Sequence, residues 1–235
     1  MPFLRKRVGI RAVLFDLGGT LIDEREPHVW IDEAHALGLS IDGDALVHWF
    51  GEMEAENDRG GNRWSLEEFW QKVLDRAWGG QVDPAKVRLF LDRLRSRWPT
   101  YSIYSDVRWC LGELKRRGLK LGIISNSRSE QSVREILAKN GLERSFSVVI
   151  SSGTEGVSKP NPEIFRRALE RLRIAAHEAF YVGNLPNVDA RAACSAGLHA
   201  LWLNRGGTGF GTDPPEITSL SELPLAVRSL GAVVK

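Results

Sequence analysis

Two observations set the fold class. From Ser105 onward, short apolar runs alternate with amphipathic stretches, and most of the runs end on a polar residue or glycine. Before that, one isolated apolar run at residues 10–15 precedes about eighty residues whose apolar positions recur only at helical spacing. The first pattern predicts an α/β fold, a Rossmann-like doubly wound parallel sheet with right-handed crossovers. The second predicts a helical segment inserted after the first strand. The expected division is a core of residues 1–21 and 100–235 and an insert of residues 22–99.

Residues 10–15 are too few for a helix and rich in β-branched and aromatic side chains, so they read as a buried strand. Within the insert, residues 29–39 form a short helix ended near Gly38, and Leu46, Val47, Phe50 and Met53 mark a second. Ser65-Leu66-Glu67-Glu68 is a capping box that opens a third, whose periodic positions are Leu66, Phe69, Trp70, Val73, Leu74 and Trp78. Asp83-Pro84 opens a fourth, with Asp83 as N-cap and Pro84 at the first helical position. Val87, Leu91 and Leu94 face inward, and Trp98-Pro99 ends it.

The alternation then begins. Ser105-Asp106 opens a helix stopped at Gly118, and residues 119–124 are a strand leading to Ser125-Asn126. Residues 130–140 are a helix closed by Gly141, and 147–150 a strand. Residues 162–174 are an amphipathic helix with the stripe Ile164, Phe165, Ala168, Leu169 and Leu172. Residues 179–182 are a strand ending at Gly183-Asn184, 188–196 a helix of small residues, and 199–203 a strand. The glycine-rich stretch 206–211 is not a phosphate loop, because Pro214 and Pro215 follow where a helix would be needed.

Composition narrows the function classes. The 235 residues are 43% apolar with a net charge of +2, which supports a real core and gives no reason to invoke nucleic acid or an anionic membrane. No segment approaches the roughly 20 apolar residues of a membrane helix. Arg5, Lys6 and Arg7 are not followed by an apolar stretch of signal-peptide length, so a cytoplasmic location is expected. The two cysteines, Cys110 and Cys194, and the five histidines have no metal-ligand spacing. Most of the eight tryptophans fall in the insert and read as core. A small-molecule substrate and a monomer or homodimer are expected.

Parallel strands bring their C-terminal ends to one edge, where open α/β sheets bind ligands. Asp16, Ser125 with Asn126, Lys159, and Asn184 leading to Asp189 all fall at or after such ends. Gly18 and Gly19 let the chain turn directly behind Asp16 and bring its N–H groups to an anion. A carboxylate that attacks, a lysine that offsets charge and a hydroxyl that holds oxygens make a set for an anionic substrate.

These residues resemble the haloacid dehalogenase superfamily of Asp-nucleophile hydrolases. Asp16-Leu17-Gly18-Gly19-Thr20 is similar to its first motif, Ile123-Ile124-Ser125-Asn126 to its second, and Ser158-Lys159-Pro160 to its third. Val182-Gly183-Asn184 with Asp189 is similar to its acidic fourth. The resemblance covers residues 8–21 and about 100–220, and the insert sits where the family's C1-capped members place a cap that selects substrate. It implies Asp16 as the nucleophile and Ser125 and Lys159 as its catalytic partners. The loop Leu17, Gly18, Gly19, Thr20 with Asn126 would bind substrate, and Asp16, Gly18, Asn184 and Asp189 would hold Mg2+.

Two positions depart from the family's phosphatases. Gly18 replaces the aspartate that protonates the leaving group, a function worth about 10²–10⁴-fold. Asn184 replaces a magnesium-binding aspartate, and an amide oxygen brings no charge. The favoured reading is a Mg2+-dependent phosphatase of small phosphorylated metabolites, with Asp23, Glu24 and Glu26 as nearby acids. One alternative is a metal-independent 2-haloacid dehalogenase, which needs no acid. Residues 114–126 and Trp202-Leu203-Asn204-Arg205 resemble that branch, with Asn126 and Arg59 as ligand-binding groups. The other alternative is a catalytically impaired binding or regulatory protein.

Overall fold

The computed structural model describes residues 9–23, 27–59, 64–97, 102–207 and 213–231. They divide into two compact units, one running to Asp23 and resuming at Ser102, the other lying between.

The first unit is built on a six-stranded parallel sheet of order β5-β4-β1-β6-β7-β8. Its strands are β1 (Ala12–Phe15), β4 (Lys120–Ser125), β5 (Val148–Ser151), β6 (Ala179–Gly183), β7 (His199–Leu203) and β8 (Glu216–Ile217). β1 is paired on both sides, with Phe15 opposite Ile123 of β4 and Val182 of β6. Successive strands leave β1 in opposite directions, so the residue after β1 stands at the switch point where the sheet opens a crevice. That residue is Asp16.

Both faces of β1 are covered. Ala12 and Leu14 point to the side filled by Ile164, Phe165, Ala168, Leu169 and Leu172 of α8 (Pro162–Leu172) and by Ala192 and Ala193 of α9 (Arg191–Ser195). Val13 and Phe15 point to the other side and are equally buried. α8 starts as its sequence dictates: Asn161 caps it, its side chain accepting the Glu163 N–H, and Pro162 takes the first position. The remaining helices of this unit are α5 (Val107–Arg116), α6 (Glu130–Lys139), α7 (Ser152–Glu155) and α10 (Leu223–Gly231).

Three features go beyond the sequence reading. A two-stranded antiparallel ribbon, β2 (Ile22–Asp23) with β3 (Ser102–Ile103), carries the chain out of this unit and back. β8 and α10 follow the proline pair, where no element was expected. Ser105-Asp106 opens α5 as expected, with Asp106 at the N-cap position, but its side chain makes no capping bond and pairs with the Arg205 guanidinium instead.

The second unit is helical: α1 (Pro27–Ala36), α2 (Gly43–Arg59), α3 (Leu66–Trp78) and α4 (Pro84–Arg97). α3 carries the expected capping box, with Ser65 and Glu68 each accepting the other's N–H, and ends on Gly79 in the left-handed region. An aromatic cluster forms much of its core: the Trp30 ring lies 5.2 Å from Trp70 and 4.5 Å from Phe50, and Trp70 lies 5.0 Å from Phe90. Trp98 and residues 208–211 of the glycine-rich stretch lie outside the described residues. No helix among the described residues is long and apolar enough to cross a membrane.

Candidate active site

The backbone fixes Asp16 at the sheet edge. Its N–H donates to the Val182 carbonyl at 2.9 Å, which extends the β1–β6 pairing by one residue and sets the carboxylate above the sheet edge. The next turn is tight. Leu21 and Ile22 N–H groups return to the Leu17 carbonyl at 2.8 and 3.0 Å. Gly19 has φ 67°, and a Cβ there would lie 2.4 Å from the Asn184 amide nitrogen. Glycine is therefore required twice over, for conformation and for space. Leu17 offers ligands only its backbone, since its side chain is fully buried.

Lys159 reaches the same carboxylate from the loop before α8. Its ammonium makes three bonds: to Asp16 Oδ1 at 2.6 Å, to Asp189 Oδ1 at 2.6 Å, and to the Tyr181 hydroxyl at 2.9 Å. All four groups are almost wholly removed from water. One cation thus faces two anions in a dry site. Burial opposes the ammonium, but the two carboxylates outweigh it and raise its pKa, so Lys159 stays charged. The excess negative charge falls on the carboxylates. Burial pushes Asp16 up to about 6, with Lys159 opposing and Asp189 reinforcing the rise. Burial and the same two carboxylates hold the Tyr181 phenol well above its ordinary range, so it remains a neutral hydroxyl.

Asn126 has a structural task that its position in the sequence does not reveal. Its Nδ2 donates to the Lys159 carbonyl at 3.0 Å and its Oδ1 accepts the Lys159 N–H at 2.9 Å. Each end of the amide holds the Lys159 backbone, so the side chain clamps the loop that carries the lysine. Ser125 ends β4 beside Ser151 of β5 and is buried, and its hydroxyl bonds to no other described residue. It remains available to a ligand. Thr20 Oγ1 donates to Asp16 Oδ2 at 3.3 Å.

The residues fit a divalent cation. The Asn184 side-chain amide reaches to 3.3 Å from Asp16 Oδ2 and 3.1 Å from the Gly18 carbonyl oxygen. With its oxygen turned inward, three oxygens face one another. Octahedral Mg2+ with oxygens at ~2.1 Å spaces adjacent ligands ~3.0 Å apart, close to the separations observed. With its nitrogen inward, the same amide donates to both neighbours, so the site is satisfied with or without the ion. Asp189 is placed otherwise. Its Oδ1 serves Lys159 and Tyr181, and its Oδ2 accepts the Leu185 N–H at 3.0 Å. It is Lys159's partner, and its oxygens are already engaged. It sits in a π-helical turn, Pro186–Ala190, that runs directly into α9.

Asp23 lies on β2 and accepts the Tyr104 hydroxyl at 3.2 Å. Glu24 and Glu26 lie outside the described residues, as does the side chain of Arg59. Two participants were missed in the sequence, Tyr181 and the Asn126 clamp. The residue type at 181 is ordinary for a strand, and only the folded register turns its hydroxyl toward Lys159.

Known proteins resemble this chain in sequence and fold. A phosphoserine phosphatase of Thermus thermophilus is 36% identical over 163 residues, 69% of this chain and 59% of that protein, so the match spans less than two thirds of that relative. The solved structure of a HAD phosphatase from Thermococcus onnurineus is 29% identical with a TM-score of 0.63, covering 95% of this chain and 99% of that one. The structure of a dehalogenase is 25% identical with a TM-score of 0.67, covering 92% and 96%. The profile of the haloacid dehalogenase-like hydrolase family matches residues 10–197, from the start of the first strand to the end of the last site-bearing helix. The chain belongs to that family and is a hydrolase.

Proposed function

We propose that the chain is a Mg2+-dependent phosphatase acting on a small phosphate monoester through a covalent phosphate on Asp16. The observation that carries this reading is the meeting of Asp16 Oδ2, the Gly18 carbonyl and the Asn184 amide at 3.1 and 3.3 Å. With the amide oxygen turned inward, these three oxygens make a ligand set suited to Mg2+. The names of the Thermus and Thermococcus relatives point the same way.

In this mechanism the Asp16 carboxylate attacks phosphorus. The Asp16 O–P bond forms as the bond to the leaving oxygen breaks. Lys159 keeps the carboxylate ionised and aimed through its 2.6 Å bond. Thr20 holds Oδ2, and Ser125 takes a phosphoryl oxygen. Bound Mg2+ would supply positive charge against the phosphoryl oxygens, with Asp16, Gly18 and Asn184 as its holders. Gly18 has no proton to give, so the leaving oxygen takes its proton from water. Aryl and other good leaving groups are therefore favoured. Water then attacks phosphorus, the Asp16 O–P bond breaks, and inorganic phosphate leaves.

The bare Gly18 position favours one second reading, displacement of halide from a 2-haloacid, which needs no acid. Phosphate release from an aryl phosphate, with and without Mg2+, beside halide release from 2-chloropropionate and an Asp16→Asn control, separates the two. Metal-dependent phosphate release that disappears in the control is expected. Halide release without metal, and no phosphate release, would overturn the proposal.

A further inference from the structure

The stretch Trp202-Leu203-Asn204-Arg205 has no part in the chemistry described above. At the end of β7 its side chains take hold of two of the site-bearing loops. Trp202 Nε1 donates to the Asn184 carbonyl at 3.0 Å. Arg205 Nη2 donates to the Thr20 carbonyl at 2.8 Å. The Arg205 guanidinium is itself held firmly. It makes a two-pronged pair with Asp106, at 2.9 and 3.0 Å, and lies 3.8 Å over the Tyr104 ring. Asp106 is fixed in turn by the Ser219 hydroxyl at 2.8 Å and the Leu220 N–H at 2.9 Å.

The other side of this contact leads to the nucleophile. Thr20 is wholly buried, and its hydroxyl donates to Asp16 Oδ2 at 3.3 Å. The peptide that Arg205 grips therefore belongs to the residue that holds the oxygen on which the metal site is built. We propose that Arg205 is a positioning residue for Asp16, acting through the Thr20 carbonyl. The inference rests on reading Asp16 as the nucleophile.

Arginine suits this task because its planar fork serves Asp106 with two N–H groups, offers another to Thr20, and stacks on Tyr104 at the same time. A lysine ammonium would replace that geometry with a mobile point charge. Displacing a reacting group by about 1 Å costs up to ~100-fold in rate, so a modest slip of the Thr20 peptide is enough to register in turnover.

The test is a double-mutant cycle on the full chain: Arg205→Met, Thr20→Val and the two together, with Arg205→Lys alongside. kcat and KM are measured on an aryl phosphate with Mg2+, and melting is followed by circular dichroism. Arg205→Met is expected to lower kcat about 10–100-fold while KM moves less than about threefold. Arg205→Lys is expected to recover only part of that loss. In the Thr20→Val background, Arg205→Met should cost less than about twofold more, because the hydroxyl it positions is already gone.

Fully additive losses would overturn the inference, as would wild-type turnover in Arg205→Lys. Should Arg205→Met fail to fold, Arg205→Lys carries the same cycle. The Asp16→Asn control is independent of it: turnover surviving there sinks the nucleophile reading, whereas turnover lost there with additive Arg205 and Thr20 effects sinks this inference alone.

Discussion

Lys159→Met isolates the electrostatics on which the site depends. At 2.6 Å, and with an effective dielectric near 20, each of the two ion pairs is worth roughly 6 kcal/mol in Coulomb terms. The two carboxylates both touch one nitrogen, so they lie no more than ~5 Å apart and repel by about 3 kcal/mol. Burying three charges costs several kcal/mol per ion, which consumes most of the gain. The net value of the triad is small, but breaking it is not. Methionine fills the space and leaves two adjacent buried carboxylates without a cation. A loss of about 3–5 kcal/mol is expected at pH 7.5, or a fall of roughly 6–20 °C in the melting temperature of this unit. The loss must also depend on pH in one direction. Lys159 stays charged across this range, since its pKa is raised, whereas Asp16, pushed up to about 6, gains its proton between pH 8 and 5. Protonating Asp16 removes one of the two unpaired charges, and the gap between variant and wild type narrows as the pH falls. Thermal melts at several pH values without divalent metal measure this. An unchanged melting temperature, or a gap that widens on acidification, would refute the reasoning.

Three further outcomes follow from the same geometry. Asp16→Asn removes the excess buried charge and leaves Lys159 paired with Asp189. The Asp16 pKa of about 6 lies above the ordinary 3.8, so its ionisation weighs against the folded state as the pH rises through that window. The inactive variant should then melt at or above wild type at pH 7.5 without metal, and the advantage should shrink toward pH 5. Asn184→Asp places a second carboxylate beside Asp16. Mg2+ should bind about tenfold tighter or better by calorimetry, and the metal-free chain should melt lower through like-charge repulsion; equal affinities would contradict the proposed metal site. Gly19→Ala should cost about 1–2 kcal/mol for its left-handed backbone alone. Its Cβ would also push the Asn184 amide aside, so Mg2+ affinity should fall with stability.

Much of this fold lies open in the sequence because its signals are local. The α8 stripe from Ile164 to Leu172 is buried at every position expected, and the α3 box at Ser65 and Glu68 forms as written. What escaped is short or long-range. β2, β3 and β8 are two residues each, too brief for any periodicity. Asp106 stands at a helix start as the sequence suggests, but only the fold brings Arg205, 99 positions away, to its side chain. Asn126 follows the same logic: its type suggests a ligand, while its partner is the backbone of Lys159, 33 positions away. Asp16 and Lys159 were legible as a set because strand ends in a parallel sheet share one edge. The roles of their neighbours depend on which atoms meet there.

The central claim is that Asp16 carries the phosphate during turnover. The direct measurement mixes the protein with a radiolabelled aryl phosphate and Mg2+, quenches in acid within the first turnover, and locates the label by peptide mapping. Acid-stable, hydroxylamine-labile label on the peptide containing Asp16, absent from Asp16→Asn, is the predicted result. Phosphate release without label on that peptide, or label on a different residue, would contradict the account.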